Sequence, residues 1–186
     1  METVTDSLVE ELCEYEHARD GRLAVWGHSF GATVAHALAI ALTETMHMSL
    51  AALFVAGKDA PWSPTRLPTL HTLPDNELWE AAGTFGGIPA SVLSDRRMRR
   101  LFLPALRADL TIAEKYRPHP ARSTVECPVR GFVAIGDPIV TTSGMAAWAR
   151  INEDDFALRE FRGGHFFVHE KEELVAGAVN DELGKL

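Results

Sequence analysis

Four apolar runs punctuate this chain, and helical periodicities fill the spaces between them. Leu23–Trp26, Leu50–Val55 and Val129–Ile135 carry few polar residues, as strands of a parallel sheet covered on both faces do. Phe156–Phe161, with Phe156, Leu158 and Phe161 apolar, is the fourth run. Ahead of them a helix is expected near residues 7–17, capped by Asp6 or Ser7. Glu10 would complete a capping box, and Leu8, Leu12 and Tyr15 would form the apolar stripe. Asp20-Gly21 closes that segment. The stretch after Gly31 is rich in Ala and Leu up to Leu42 and reads as a helix with a small-residue face for close packing.

The interval between the second and third runs is different. Pro61, Pro64, Pro68 and Pro74 make residues 58–74 a loop. From Asp75 to about Arg117 the pattern turns helical in three pieces, 76–82, 89–93 and 97–116. The last has Leu101, Phe102, Ala105, Leu106, Ile112 and Ala113 as its apolar members. A whole βαβ unit takes about 30 residues, so this much helix points to an inserted helical lid over about 75–117. A short helix at Met145–Ile151 and a closing helix from about Glu170, through Leu174, Val175, Ala178 and Val179 towards Leu183, complete the pattern. The order predicts an α/β protein: one domain over residues 1–186, a mostly parallel sheet with helices on both faces, and an inserted lid.

Candidate chemistry gathers at the ends of the strands. Gly27-His28-Ser29-Phe30-Gly31 fits G-x-S-x-G between a strand and a helix, the setting of a nucleophile elbow. Side chains at the flanking glycines are expected to collide with strand and helix. A serine needs a base to take its proton and an acid to orient that base. Asp137 follows the third strand and His165 the fourth, in the Ser–Asp–His order of α/β-hydrolases, on the sheet edge where such folds bind ligands. Asp59, also just past a strand, is a rival acid, and Asp137 before Pro138 can instead be a turn starter. His28 should point away from the nucleophile and support the structure. The backbone N–H of Phe30 is the expected oxyanion donor. His165 and His169 have an H-x-x-x-H spacing, but no helix is evident there and no acidic partner completes a zinc site, so no metal is expected.

Composition narrows the class. At 186 residues, 46% hydrophobic and 24% charged, the chain suits one globular domain. A formal charge of −8 argues against nucleic acid as a partner. No apolar run approaches the ~20 residues a membrane crossing needs. The acidic start Met1–Asp6 shows no signal peptide, and Cys13 and Cys127 read as buried free thiols, so a cytoplasmic location is expected.

The blocks Trp26–Ala32, Leu53–Gly57, His71–Asp75, Leu101–Asp109, Tyr116-Arg117-Pro118, Asp137–Val140 and Gly163–Phe167 together resemble the type II thioesterases. These are the stand-alone editing enzymes of polyketide and nonribosomal peptide assembly. The resemblance implies an α/β-hydrolase fold and hydrolysis of acyl thioesters on the phosphopantetheine arm of an acyl or peptidyl carrier protein. It implies no cofactor. By motif, Ser29 is the nucleophile, Asp137 the acid and His165 the base. The family places several strands and an oxyanion loop before the elbow. This sequence has none there, so the N-terminal strands are expected to be absent and the oxyanion hole to lack its second donor. Two alternatives follow: an impaired remnant that only binds carrier protein, or a general carboxylesterase. Arg96, Arg97, Arg99 and Arg100, near the start of the long lid helix, are either a solvated face or a docking patch for an acidic carrier.

Overall fold

The computed structural model describes residues 2–13, 23–64 and 68–185, and all their side chains except those of residues 2, 3, 13, 45 and 122. Its elements run α1 (Glu2–Cys13), β1 (Ala24–His28), α2 (Phe30–Met46), β2 (Ala52–Ala56), α3 (Asp75–Thr84), α4 (Ala90–Leu93), α5 (Arg96–Lys115), β3 (Val129–Ala134), α6 (Thr142–Ala146), β4 (Phe156–Phe161), α7 (Phe167–Glu170) and α8 (Glu172–Leu183). Tight helical turns stand at Leu70–Thr72, Pro120–Arg122 and, continuing α6, at Ala147–Ile151.

The strands pair in parallel in chain order, β1-β2-β3-β4. Successive side chains of a strand point to opposite faces, so each run serves two cores. Val25, Leu53, Val55, Val129 and Val133 face a core built with Ala35, Leu38, Ala39 and Leu42 of α2 and Met145, Trp148 and Ile151. Phe54, Ala56, Phe132, Ala134 and Phe161 face the other way, onto Phe167, Val175 and Ala178 of α7 and α8. All five residues of β2 are buried, which is why its sequence shows no alternation. Parallel crossovers return every strand in the same direction, so Ser29, Gly57, Asp137 and His165 all follow a strand at one edge of the sheet.

The helical insertion has its own small core of Leu70, Leu78, Trp79 and Leu103. Arg107 ties it together, donating to the carbonyls of His71 (2.6 Å) and Leu73 (2.8 Å) and to the Asp75 carboxylate (2.7 Å). Glu114 accepts from the amides of Leu70 and His71 and pairs with the His71 ring. The far end of α5 is pinned to α2. There the fully buried His36 donates from Nε2 to the Ser123 carbonyl (2.9 Å), and its Nδ1 accepts from the Tyr116 hydroxyl (3.0 Å).

Several boundaries differ from the sequence reading. The first helix begins at Glu2, so Asp6 and Ser7 lie inside it rather than at its cap. No proline or glycine interrupts those first residues, and Leu8, Val9 and Leu12 still pack on the core. Tyr15 and Asp20-Gly21 lie outside the described residues. The inward face of α5 has Leu103 and Ala113 buried and Leu106 and Leu110 half-buried, a helical i, i+3, i+7, i+10 stripe. Leu101 and Phe102, expected among the apolar members of that helix, are exposed at 68% and 49%, and Ala105 is exposed as well. His169 stands in a short helix, α7, where none was evident in the sequence.

Candidate active site

The elbow is built by close approach of backbone. Ser29 donates its amide to the Ala56 carbonyl of the neighbouring strand (2.8 Å) and takes φ 54°, ψ −119° before α2 begins at Phe30. A non-glycine residue at such angles costs about 1–3 kcal/mol, and the surrounding structure must enforce it. Gly27 makes it possible: a Cβ there would stand 2.0 Å from the Gly31 carbonyl oxygen. Gly31 does not share that constraint, since a Cβ at 31 meets nothing within 4 Å. The expected collision therefore holds for the first glycine and not for the second. Phe30 is the first residue of α2, so its amide belongs to the N–H groups that lack a carbonyl partner within the helix.

The structure brings three of the singled-out residues into one hydrogen-bonded series. His165 Nε2 lies 2.9 Å from Ser29 Oγ, and His165 Nδ1 lies 2.8 Å from Asp137 Oδ2. An aspartate carboxylate only accepts, so Nδ1 carries the proton and Nε2 is left to accept from the serine hydroxyl. The Asp137 side chain is fully enclosed and uses both oxygens. Its Oδ1 accepts from the amides of Ile139 (2.8 Å) and Val140 (3.2 Å). It is thus a turn former as well as the histidine's partner. The Gly136 amide bonds the Gly163 carbonyl (3.1 Å) and joins the two loops. The rival, Asp59, accepts from the Thr141 amide (3.0 Å), behind the Asp137 loop.

His28 turns away from the serine. Its Nε2 donates to the His165 carbonyl (2.8 Å), and its ring lies 4.9 Å from the His165 ring. Burial, then the nearby His165, lower its pKa to about 4, so it is a neutral strut. Gly57 makes room for it, a position whose purpose the sequence does not disclose. With φ +57°, a Cβ there would stand 2.7 Å from His28 Nε2 and 3.6 Å from His165 Cε1.

A family model described as thioesterase domain matches residues 1–183. The chain belongs to the thioesterase domain family. Among its relatives, Thioesterase PikA5 of Streptomyces venezuelae is 34% identical over 94% of this chain and 64% of its own length. The type II thioesterase BorB from the borrelidin biosynthetic cluster is 32% identical, with a TM-score of 0.79 over 98% of this chain and 72% of that one. ClbQ from the colibactin NRPS/PKS pathway superposes at a TM-score of 0.86 with 27% identity, over 97% and 75% of the two chains. The chain spans about three fifths of the length of the curated relatives it matches.

Among the described residues no group of three or more His, Cys, Asp or Glu side chains is arranged to hold a metal ion, and His169 stacks on Phe166. No helix among them is long and apolar enough to cross a membrane. Cys127 is buried, and burial pushes its thiol up to about 11. The side chain of Cys13 lies outside the described set. Arg96, Arg97 and Arg100 are exposed in the first turns of α5, with Arg99 half-buried. Asp95 caps that helix, its Oδ1 accepting from the Arg97 and Met98 amides.

Proposed function

We propose that this chain is a serine thioesterase that hydrolyses acyl thioesters carried on the phosphopantetheine arm of a carrier protein, in the editing or release steps of polyketide or nonribosomal peptide assembly. The observation that carries the reading is the hydrogen-bonded series Ser29–His165–Asp137 mounted on a strained elbow. The biosynthetic setting is suggested by the relatives, whose names place them in borrelidin and colibactin pathways.

In this mechanism Ser29 Oγ attacks the thioester carbonyl carbon as its proton passes to His165 Nε2. The carbonyl electron pair moves onto oxygen, where the Phe30 amide at the start of α2 donates to it. Asp137 keeps the imidazole in the tautomer that accepts from serine and stabilises the imidazolium that forms. Collapse of the adduct breaks the carbon–sulfur bond, and the thiol leaves with the proton from His165. A water then attacks the acyl-serine carbon and gives a proton to His165 Nε2; the carbon–Oγ bond breaks, His165 returns that proton to Ser29 Oγ, and the carboxylic acid leaves. The lid of α3 to α5 would cover the acyl chain during both steps. Arg96, Arg97, Arg99 and Arg100 would meet the acidic carrier.

The test is hydrolysis of acyl-carrier thioesters by the parent, Ser29→Ala, Asp137→Asn and Asp59→Asn. Ser29→Ala should abolish turnover. Asp137→Asn should lower kcat by about 10⁴, as the wrong tautomer does in the worked serine-protease case. Asp59→Asn should cost far less. Turnover that survives Ser29→Ala would sink the nucleophile, and greater damage from Asp59→Asn would identify the wrong acid.

A further inference from the structure

The turn Phe85–Gly86–Gly87 between α3 and α4 meets the loop that carries His165. A Cβ on Gly87 would stand 2.1 Å from Phe166 Cζ and 2.2 Å from Cε2, so the end of the Phe166 ring lies against a bare Cα. That ring is held in place. Its centroid is 5.1 Å from the His165 ring, 5.7 Å from His28 and 6.2 Å from His169, on which it stacks. The Phe85 ring approaches His165 itself, edge to face at 6.4 Å, while packing on the insertion's own core cluster of Leu70, Leu78, Trp79 and Leu103. Gly86 takes φ +87°, which lets the turn reverse at this point. His165 is only 4% exposed, and rings from the insertion and from its own loop flank it.

We infer that this turn is a specificity-determining latch: Gly87 seated on Phe166 holds the insertion against the histidine, and the Phe85 ring limits the length of the acyl group that fits beside Ser29. The inference rests on the serine-nucleophile reading above. A carbonyl bonded to Ser29 Oγ sits within bonding reach of His165 Nε2, itself 2.9 Å from that oxygen. A substituent running from there towards the insertion meets the Phe85 ring, which stands edge to face against His165. A chain that extends past that ring must lift the turn, and lifting it breaks the Gly87–Phe166 contact. The clasp is steric and apolar, so it discriminates by length rather than by charge.

Two measurements test this. The first is the labelling rate of Ser29 by alkyl fluorophosphonates from ethyl to decyl, which needs a nucleophilic serine but no particular thioester. Phe85→Ala should raise the decyl-to-ethyl rate ratio tenfold or more, and Phe85→Leu, which keeps apolar bulk for the insertion core, should raise it less. A uniform change across all chain lengths would overturn the length limit. The second is hydrogen exchange of amides in residues 75–93, which needs no activity. Gly87→Ala should accelerate it, and adding Phe166→Ala should return it towards the parent by removing the colliding ring. Unchanged exchange in Gly87→Ala would overturn the latch. Normal labelling without thioester hydrolysis would count against the proposed substrate and leave the length ratio as the measure of this inference.

Discussion

Acid should loosen this protein through His36, and the size of the effect follows from where that ring sits. His36 is fully buried in α2. The groups against it, Ser123, Tyr116 and Trp148, carry no charge. Burial lowers its pKa to about 4 from an ordinary value of 6.5, the bond to the Ser123 carbonyl opposing this. Burial also pushes the Tyr116 phenol above its usual range, so that hydroxyl stays protonated and donates to Nδ1. Because the folded pKa lies below the unfolded one, the unfolded chain binds the proton first, and stability falls as pH drops from 6.5 towards 4. For one such histidine the loss is about 2 kcal/mol at pH 5 and about 3 kcal/mol at pH 4. With a urea dependence of about 2 kcal/mol per molar, the midpoint should fall by about 1 M between pH 7.5 and pH 5. His28, also lowered to about 4, adds a loss in the same window. The assay is therefore a comparison of urea midpoints for the parent and His36→Gln at both pH values, in which the His28 contribution cancels. His36→Gln should start less stable and lose about 1 M less on acidification. Equal pH dependence in the two proteins would refute the assignment of the acid sensitivity to His36.

The two elbow glycines should behave differently despite their symmetric place in the motif. Gly27→Ala forces a Cβ to 2.0 Å from backbone oxygen and should cost more than ~4 kcal/mol, whereas Gly31→Ala enters open space in a helix and should leave the melting temperature unchanged or raised, by up to ~1 kcal/mol of stability. Thermal melts of the two variants check this, and equal damage at both positions would contradict it. At the start of α5, replacing Arg97 and Arg100 by glutamate should raise KM for carrier-bound thioesters, more at low salt, and leave a small carrier-free thioester nearly unaffected. The two-substrate comparison decides: equal responses, or none, would make the patch a solvated face.

What the sequence disclosed and what it hid divide along a physical line. Strand identity and the post-strand positions of Ser29, Asp137 and His165 were legible. Continuous apolar runs mark two-sided strands, and parallel crossovers then place every post-strand loop at one edge. The features that were not legible depend on contacts between residues far apart in the chain. A stripe on α5 can be read from spacing, but two stripes compete there. Only the packing against Leu78 and Trp79 selects Leu103, Leu106 and Leu110 over Leu101 and Phe102. His36 looks like any polar residue on an alanine-rich helix until Tyr116 and Ser123, 80 and 87 residues later, supply its partners. The contrast is sharpest at Asp137. Its turn-starter role and its role as the histidine's partner stood as alternatives in the sequence, because a one-dimensional reading assigns a residue to one environment. A carboxylate has two oxygens, and here Oδ1 holds the turn at Ile139 and Val140 while Oδ2 holds His165. The turn fixes the direction in which Oδ2 points. The local role is what makes the long-range one possible.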